Sequence, residues 1–110
     1  MKKYNEFHGD VPVDMIGKRL REIARQEAVF KIVTGYGSTT GIQKSKQAAL
    51  KVLANMVRQN LIVAYLPGEK VYDFSVNTNN IYYKARTVYE NVLRSDKDKG
   101  NEGIIYVFVK

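Results

Sequence analysis

Cysteine is missing from this chain, which excludes a disulfide framework and a thiolate metal site. Histidine occurs once, as His8, so a zinc cluster would need carboxylates in unusual numbers. No apolar run approaches the roughly 18 residues of a membrane span. The opening stretch, MKKYNEFHGD, is basic but lacks the apolar core of a signal peptide. Internal repeats and low-complexity tracts are lacking as well. These exclusions leave a soluble cytoplasmic protein, with no membrane partner, as the expectation. The 110 residues suit one domain, 1–110, large enough to bury a core without staples.

What the chain does have is positive charge, unevenly placed. Its net charge is +7, and residues 1–60 hold eleven Lys/Arg against five Asp/Glu, whereas residues 61–110 hold seven against six. An excess gathered in one half points to a polyanionic partner, with bare solubility as the alternative.

Periodicity divides the chain into alternating elements. Residues 5–9 predict a brief strand. In 10–28, Val13, Ile16, Leu20, Ile23 and Ala24 form one apolar stripe at helical spacing, with Asp10 as a cap and Pro12 in the first turn. Lys18, Arg19, Arg21 and Arg25 lie off that stripe and make a basic outer face. Residues 29–36 are β-branched and predict a buried strand. Ser45 is placed to cap a helix over 46–60 whose stripe is Ala49, Val52, Leu53, Met56 and Val57. Strands are predicted over 61–66, before the Pro67-Gly68 turn, and over 70–77 by alternation. A helix over 79–95, a solvated turn over 95–103 and a strand over 104–110 complete the order β-α-β-α-β-β-α-β. Such alternation implies an α/β domain with parallel pairing.

Residues 31–47, KIVTGYGSTTGIQKSKQ, have the composition of a phosphate-holding loop. The nucleotide P-loop spacing fails, because five residues after Gly35 stands Thr40, and Lys44-Ser45 comes two residues too late after Gly41. G-x-G-x-x-G fails at the same threonine. A looser arrangement survives. Gly35 and Gly37 let backbone approach a ligand, Ser38 to Thr40 supply hydroxyls, and Lys44 and Lys46 stand at a helix start whose amides favour anions. That set suits a phosphodiester backbone; a plain strand-to-helix turn is the alternative.

Glu6-Phe7-His8-Gly9 and Thr34-Gly35-Tyr36-Gly37, in this order and spacing, resemble the two motifs of the Smr (small MutS-related) domain. The first matches D-x-H-G with Glu in place of Asp, and the second matches [HT]-G-x-G in its Thr form. The closing NEGIIYVFVK looks like that family's last strand. The resemblance covers residues 5–66 and 101–110, and residues 67–100 look like an added hairpin strand and helix. It implies a two-layer α/β sandwich with a βαβαββ core, like the C-terminal domain of translation initiation factor three, carrying an extra helix before the last strand. It also implies binding of DNA or RNA and, in several members, phosphodiester nicking with or without a metal. A divalent cation such as magnesium is the one cofactor that the nicking version admits.

On that resemblance His8 is the acid or base, since imidazole is the side chain that titrates nearest neutrality. Glu6 orients it or binds a hydrated cation. Gly9, Thr34, Gly35, Tyr36, Gly37 and Ser38, with Lys44 and Lys46, hold the phosphate, and Tyr36 stacks on an unpaired base. Arg21 and Arg25 contact the backbone. Glu for Asp shifts a carboxylate by a methylene, and Thr34 cannot titrate near neutrality. A non-catalytic protein-interaction module on the same fold therefore stands beside the endonuclease. Structural readings also stand: His8 capping a strand end, and Tyr82 and Tyr89 as half-buried packing.

Overall fold

In the computed structural model, which describes residues 1–34, 43–72 and 80–110, one mixed four-stranded sheet is packed by helices. The strands are β1 (Lys2–Tyr4), β2 (Val29–Val33), β3 (Ala64–Pro67) and β4 (Ile104–Phe108). The helices are α1 (Ile16–Ala24), α2 (Gln43–Arg58), α3 (Ile81–Val88) and α4 (Glu90–Arg94), with 3-10 turns at Val13–Met15 and Gly68–Tyr72. Across the sheet the order is β1-β2-β4-β3. β1 runs parallel to β2, with Tyr4 beside Ile32, and β4 is antiparallel to both of its neighbours. Hence β1, β2 and β3 all finish at one edge of the sheet, and β4 begins there. The parallel pairing expected from alternation holds for β1 and β2, but β4 inserts between β2 and β3.

The two-residue period of the strands sorts the core into two clusters. Phe30, Ile32, Tyr65, Ile105 and Val107 face one way and meet Ile16, Leu20 and Ile23 of α1 and Ala49, Leu53 and Met56 of α2. Ala64, Leu66, Ile104, Tyr106 and Phe108 face the other way and meet Ala85 of α3 and Leu93 of α4. The expected two-layer sandwich is therefore corrected to three layers, because 81–94 supply a second helical cover. Tyr89 stacks on Phe108 with ring centroids 4.0 Å apart and planes 11° off parallel. Tyr82 meets Tyr65 edge to face at 5.6 Å, so α3 wraps the exposed side of edge strand β3.

Several local expectations shift. The first strand is Lys2–Tyr4, and residues 5–9 form a turn closed by Val11 N–H donating to Glu6 O at 3.0 Å. Gly9 has φ +98°, a conformation that favours glycine and ends any extended run. Asp10 caps nothing: Pro12 and Met15 hold the cap positions, neither with a side-chain bond. Ser45 lies inside α2, which starts at Gln43. α2 ends where Asn60 takes φ +60° and the Leu61 amide bonds Met56 O at 2.9 Å while that of Asn60 bonds Val57 O at 3.0 Å, a Schellman closure that needs no glycine. The strand expected over 70–77 is a 3-10 turn as far as Tyr72; its remainder lies outside the described residues. The helix expected over 79–95 breaks at Tyr89 into α3 and α4. Within α3 the Thr87 hydroxyl donates back to Tyr83 O at 3.0 Å, a bond that bends helices. Pro67 ends β3 at the sheet edge, where its missing N–H costs no ladder bond. No helix among the described residues is long and apolar enough to cross a membrane.

Candidate functional site

Because β1 and β2 are parallel and in register, the Glu6–Gly9 turn and Thr34 leave the sheet at the same edge. Phe7, fully buried, anchors the turn in the core, while His8 and Gly9 on either side of its tip are exposed. A Cβ built on Gly9 meets nothing within 4 Å, so space stands open above that backbone. Lys44 is exposed near the start of α2. Gly35, Tyr36, Gly37 and Ser38, the proposed phosphate cradle, lie outside the described residues.

Three further sequence candidates, Glu6, Thr34 and Lys46, are held by partners. Glu6 accepts a two-pronged bond from Arg19, Nε to Oε2 at 2.9 Å and Nη2 to Oε1 at 3.0 Å. That fork is the geometry in which guanidinium and carboxylate match best. Arg19 also reaches Glu22 at 3.4 Å and lies over the Tyr4 ring, and its bond to Glu6 holds it firmly charged. Both oxygens of Glu6 thus belong to the β1–α1 connection rather than to His8. Thr34 is buried, its amide donating to Gly103 O at 2.8 Å and its hydroxyl to the same oxygen at 3.4 Å. Lys46 donates to Glu69 Oε1 and to Glu102 O, both at 2.8 Å, tying α2 to the two loops that meet at this edge. Among the described residues no three of His, Cys, Asp and Glu converge on a cation position, and Glu6 is already neutralised.

Sequence reasoning singled out Arg21 and Arg25, and both lie on the outer side of α1, opposite Leu20 and Ile23. It passed over Lys51 and Arg58, and placed Lys18 on the basic face of the first helix without making it a site residue. Lys51 and Arg58 share the exposed side of α2 with Lys44, at spacings of seven, and Lys18 stands beside Arg21 and Arg25. Repeated seven-residue spacing of Lys or Arg in a segment, 43–58, that contains no acid is the signal that finds them.

On the opposite side of the sheet charge is enclosed. Lys31, in the middle of β2, is buried, with Nζ 2.8 Å from Asp96 Oδ1 and 2.8 Å from Asp98 Oδ2. Tyr106 donates to Asp96 Oδ2 at 2.6 Å, and Lys3 approaches Asp98 at 3.3 Å. Burial alone pulls Lys31 down, but its bonds to Asp96 and Asp98 outweigh that and hold it above the ordinary lysine range. Burial pushes Asp96 up, yet Lys31 and Tyr106 together hold it below the ordinary carboxylate range. The bond to Lys31 does the same for Asp98. Beyond this network a groove of about 400 Å³ is lined by Val71, Tyr72, Tyr83, Leu93 and Lys99.

Comparison with protein-family models, with curated proteins and with solved structures finds no match to this chain.

Proposed function

We propose that this chain is a nucleic-acid-binding domain of the Smr kind, which takes a DNA or RNA backbone at the edge where β1 and β2 end. The observation that carries this reading is the parallel register of those strands. It brings the exposed His8-Gly9 turn to the edge at which Thr34 leaves the sheet. In open α/β sheets ligands gather beyond the carboxyl ends of the strands. On this reading β1–α1–β2–α2–β3 with β4 corresponds to the core of the C-terminal domain of translation initiation factor three, and 67–100 is an addition to it, apart from Pro67 at the end of β3.

Binding without cleavage is favoured over nicking by one geometric fact: Arg19 occupies both oxygens of Glu6, the carboxylate expected to orient His8. A protein-interaction module is the second reading, supported by the same engagement of Glu6. A binding titration with DNA and RNA separates them. A nucleic-acid binder loses affinity linearly in log salt. Absence of binding to either polymer at about 50 mM salt would contradict the proposal, given how weak screening is there. Incubation with supercoiled plasmid and structured RNA, with and without magnesium, tests cleavage. Cuts that vanish in His8→Ala while binding persists would restore the endonuclease.

A further inference from the structure

Resting on the nucleic-acid reading, and naming its ligand more closely, we propose that the outer face of the α1–α2 layer binds double-stranded nucleic acid through its sugar–phosphate backbones. At 3.6 residues per turn, Ile16, Leu20 and Ile23 mark the buried side of α1, and Lys18, Arg21 and Arg25 fall opposite them. On α2, Ala49, Leu53 and Met56 are buried, and Lys44, Lys51 and Arg58 fall opposite. With a rise of 1.5 Å per residue, the α2 cations stand about 10 Å apart in a row about 21 Å long. β1–α1–β2 and β2–α2–β3 each start and end on strands of one direction, so the two helices run alongside each other with the same sense.

The two rows are close. A Cβ built on Gly17 would stand 3.6 Å from Val52 of α2, and the Arg21 guanidinium lies over the same glycine, 2.9 Å from that point. Packed helices in such contact have axes about 8–10 Å apart, so both rows fit within the width of one duplex. The charge is also free. Lys18, Arg21, Arg25, Lys44 and Lys51 make no ion pair among the described residues, and Arg58 reaches only the amide oxygen of Asn55. Glu22, the one acid within α1, is held by Arg19.

The chemistry of the face selects the ligand. Unpaired strands are bound largely by stacking bases on aromatic rings. Among the described residues the exposed tyrosines, Tyr72 and Tyr83, belong to the other side of the sheet, and α1 and α2 include no aromatic. Cations without rings read phosphates only, which suits a duplex whose bases are turned inward. Insertion into a membrane surface needs large apolar side chains among the cations. No large apolar residue of α2 is exposed; the exposed Val13 and Met15 precede α1, and the exposed Leu61 and Val63 follow α2.

The test is a salt-titrated binding series with a labelled 20-base-pair DNA duplex, the matching RNA duplex and a single strand of equal length. Two triple variants are used, Lys18→Gln/Arg21→Gln/Arg25→Gln and Lys44→Gln/Lys51→Gln/Arg58→Gln, each checked for an unchanged melting transition. Lys84→Gln/Lys97→Gln serves as a control. With about 0.9 counterions released per phosphate contact, each triple variant is expected to flatten the slope of log affinity against log salt by roughly 3. The control leaves the slope unchanged, and the wild type prefers a duplex to the single strand; the two duplex arms tell DNA from RNA. Triple variants with the wild-type slope, or a single strand bound as tightly as either duplex, overturn the inference while leaving nucleic-acid binding intact. If the wild type binds none of the three, the functional reading itself fails and this inference with it.

Discussion

Lys31 and Lys51 are the same side chain put to opposite uses on the two faces of one sheet. Lys31 rises from β2 beneath the 95–100 loop, loses its water, and is held by two carboxylates at 2.8 Å. Lys51 rises from the outer side of α2 with no acid in its helix and stays exposed. A buried charge must be matched by partners at hydrogen-bond range or it destabilises the fold, whereas an exposed one costs almost nothing and remains available. The α3–α4 side therefore uses ions to hold its loop down. The α1–α2 side accumulates cations that the fold does not need.

That contrast is broken most strongly from the buried side. Lys31→Met leaves Asp96 and Asp98 facing each other without their principal counter-charge, and removal of one partner of a buried pair costs about 3–5 kcal/mol. The urea midpoint measures it. Gly68→Ala comes next: its Cβ would stand 2.0 Å from Asn101 O, where Gly100 N–H also bonds Gly68 O at 2.9 Å. Backbone cannot yield as a side-chain tip does, so a loss of roughly 2–3 kcal/mol is expected in the same assay. It should spread to the 95–103 loop, as read by amide exchange.

The pH dependence sharpens the same point. Asp96 and Asp98 are held below their ordinary range, so their contribution is present above about pH 4 and is lost as pH falls toward their lowered values. Lys31 is held above its ordinary range, so its contribution is present below about pH 10.4 and is lost as pH rises through its raised value. The stability gap between wild type and Lys31→Met is accordingly widest from about pH 5 to 10 and narrows on both sides. The smallest effect belongs to the helical face. Either triple glutamine variant there should change stability by no more than about 0.5 kcal/mol per site, because surface substitutions away from buried networks usually stay within that.

How much of this was legible in the sequence depended on whether the cause was local. The apolar stripes of α1 and α2, the β-branched run of β2 and the closing strand follow from spacing within one element, and they stand where that spacing puts them, apart from ends moved by a few residues. β1 was hidden because Lys2 and Lys3 resemble a charged tail. Their strand exists through pairing with Phe30 and Lys31, and Lys3 finds Asp98 near the far end of the chain. The helix over 79–95 was legible, but not the sheet face it covers, because Ala85 and Leu93 pack on Ala64, Leu66 and Ile104 through contacts set by the tertiary fold. The strand suggested by alternation over 70–77 gives way at Gly68, which is drawn against Asn101 and opens a 3-10 turn. At the candidate edge, His8 and Gly9 are exposed as a binding role requires. The Arg19 fork on Glu6 and the Gly103 bonds of Thr34 join residues 13 and 69 positions apart, which no local pattern announces.

The measurement that bears most directly on the contrast is an NMR footprint of a 20-base-pair duplex on the isotope-labelled chain. The account predicts perturbations clustered at Lys18, Arg21, Arg25, Lys44, Lys51 and Arg58, with Lys31, Tyr83 and Lys99 unmoved. A footprint centred on Tyr72, Tyr83 and Lys99, with α1 and α2 silent, would contradict it.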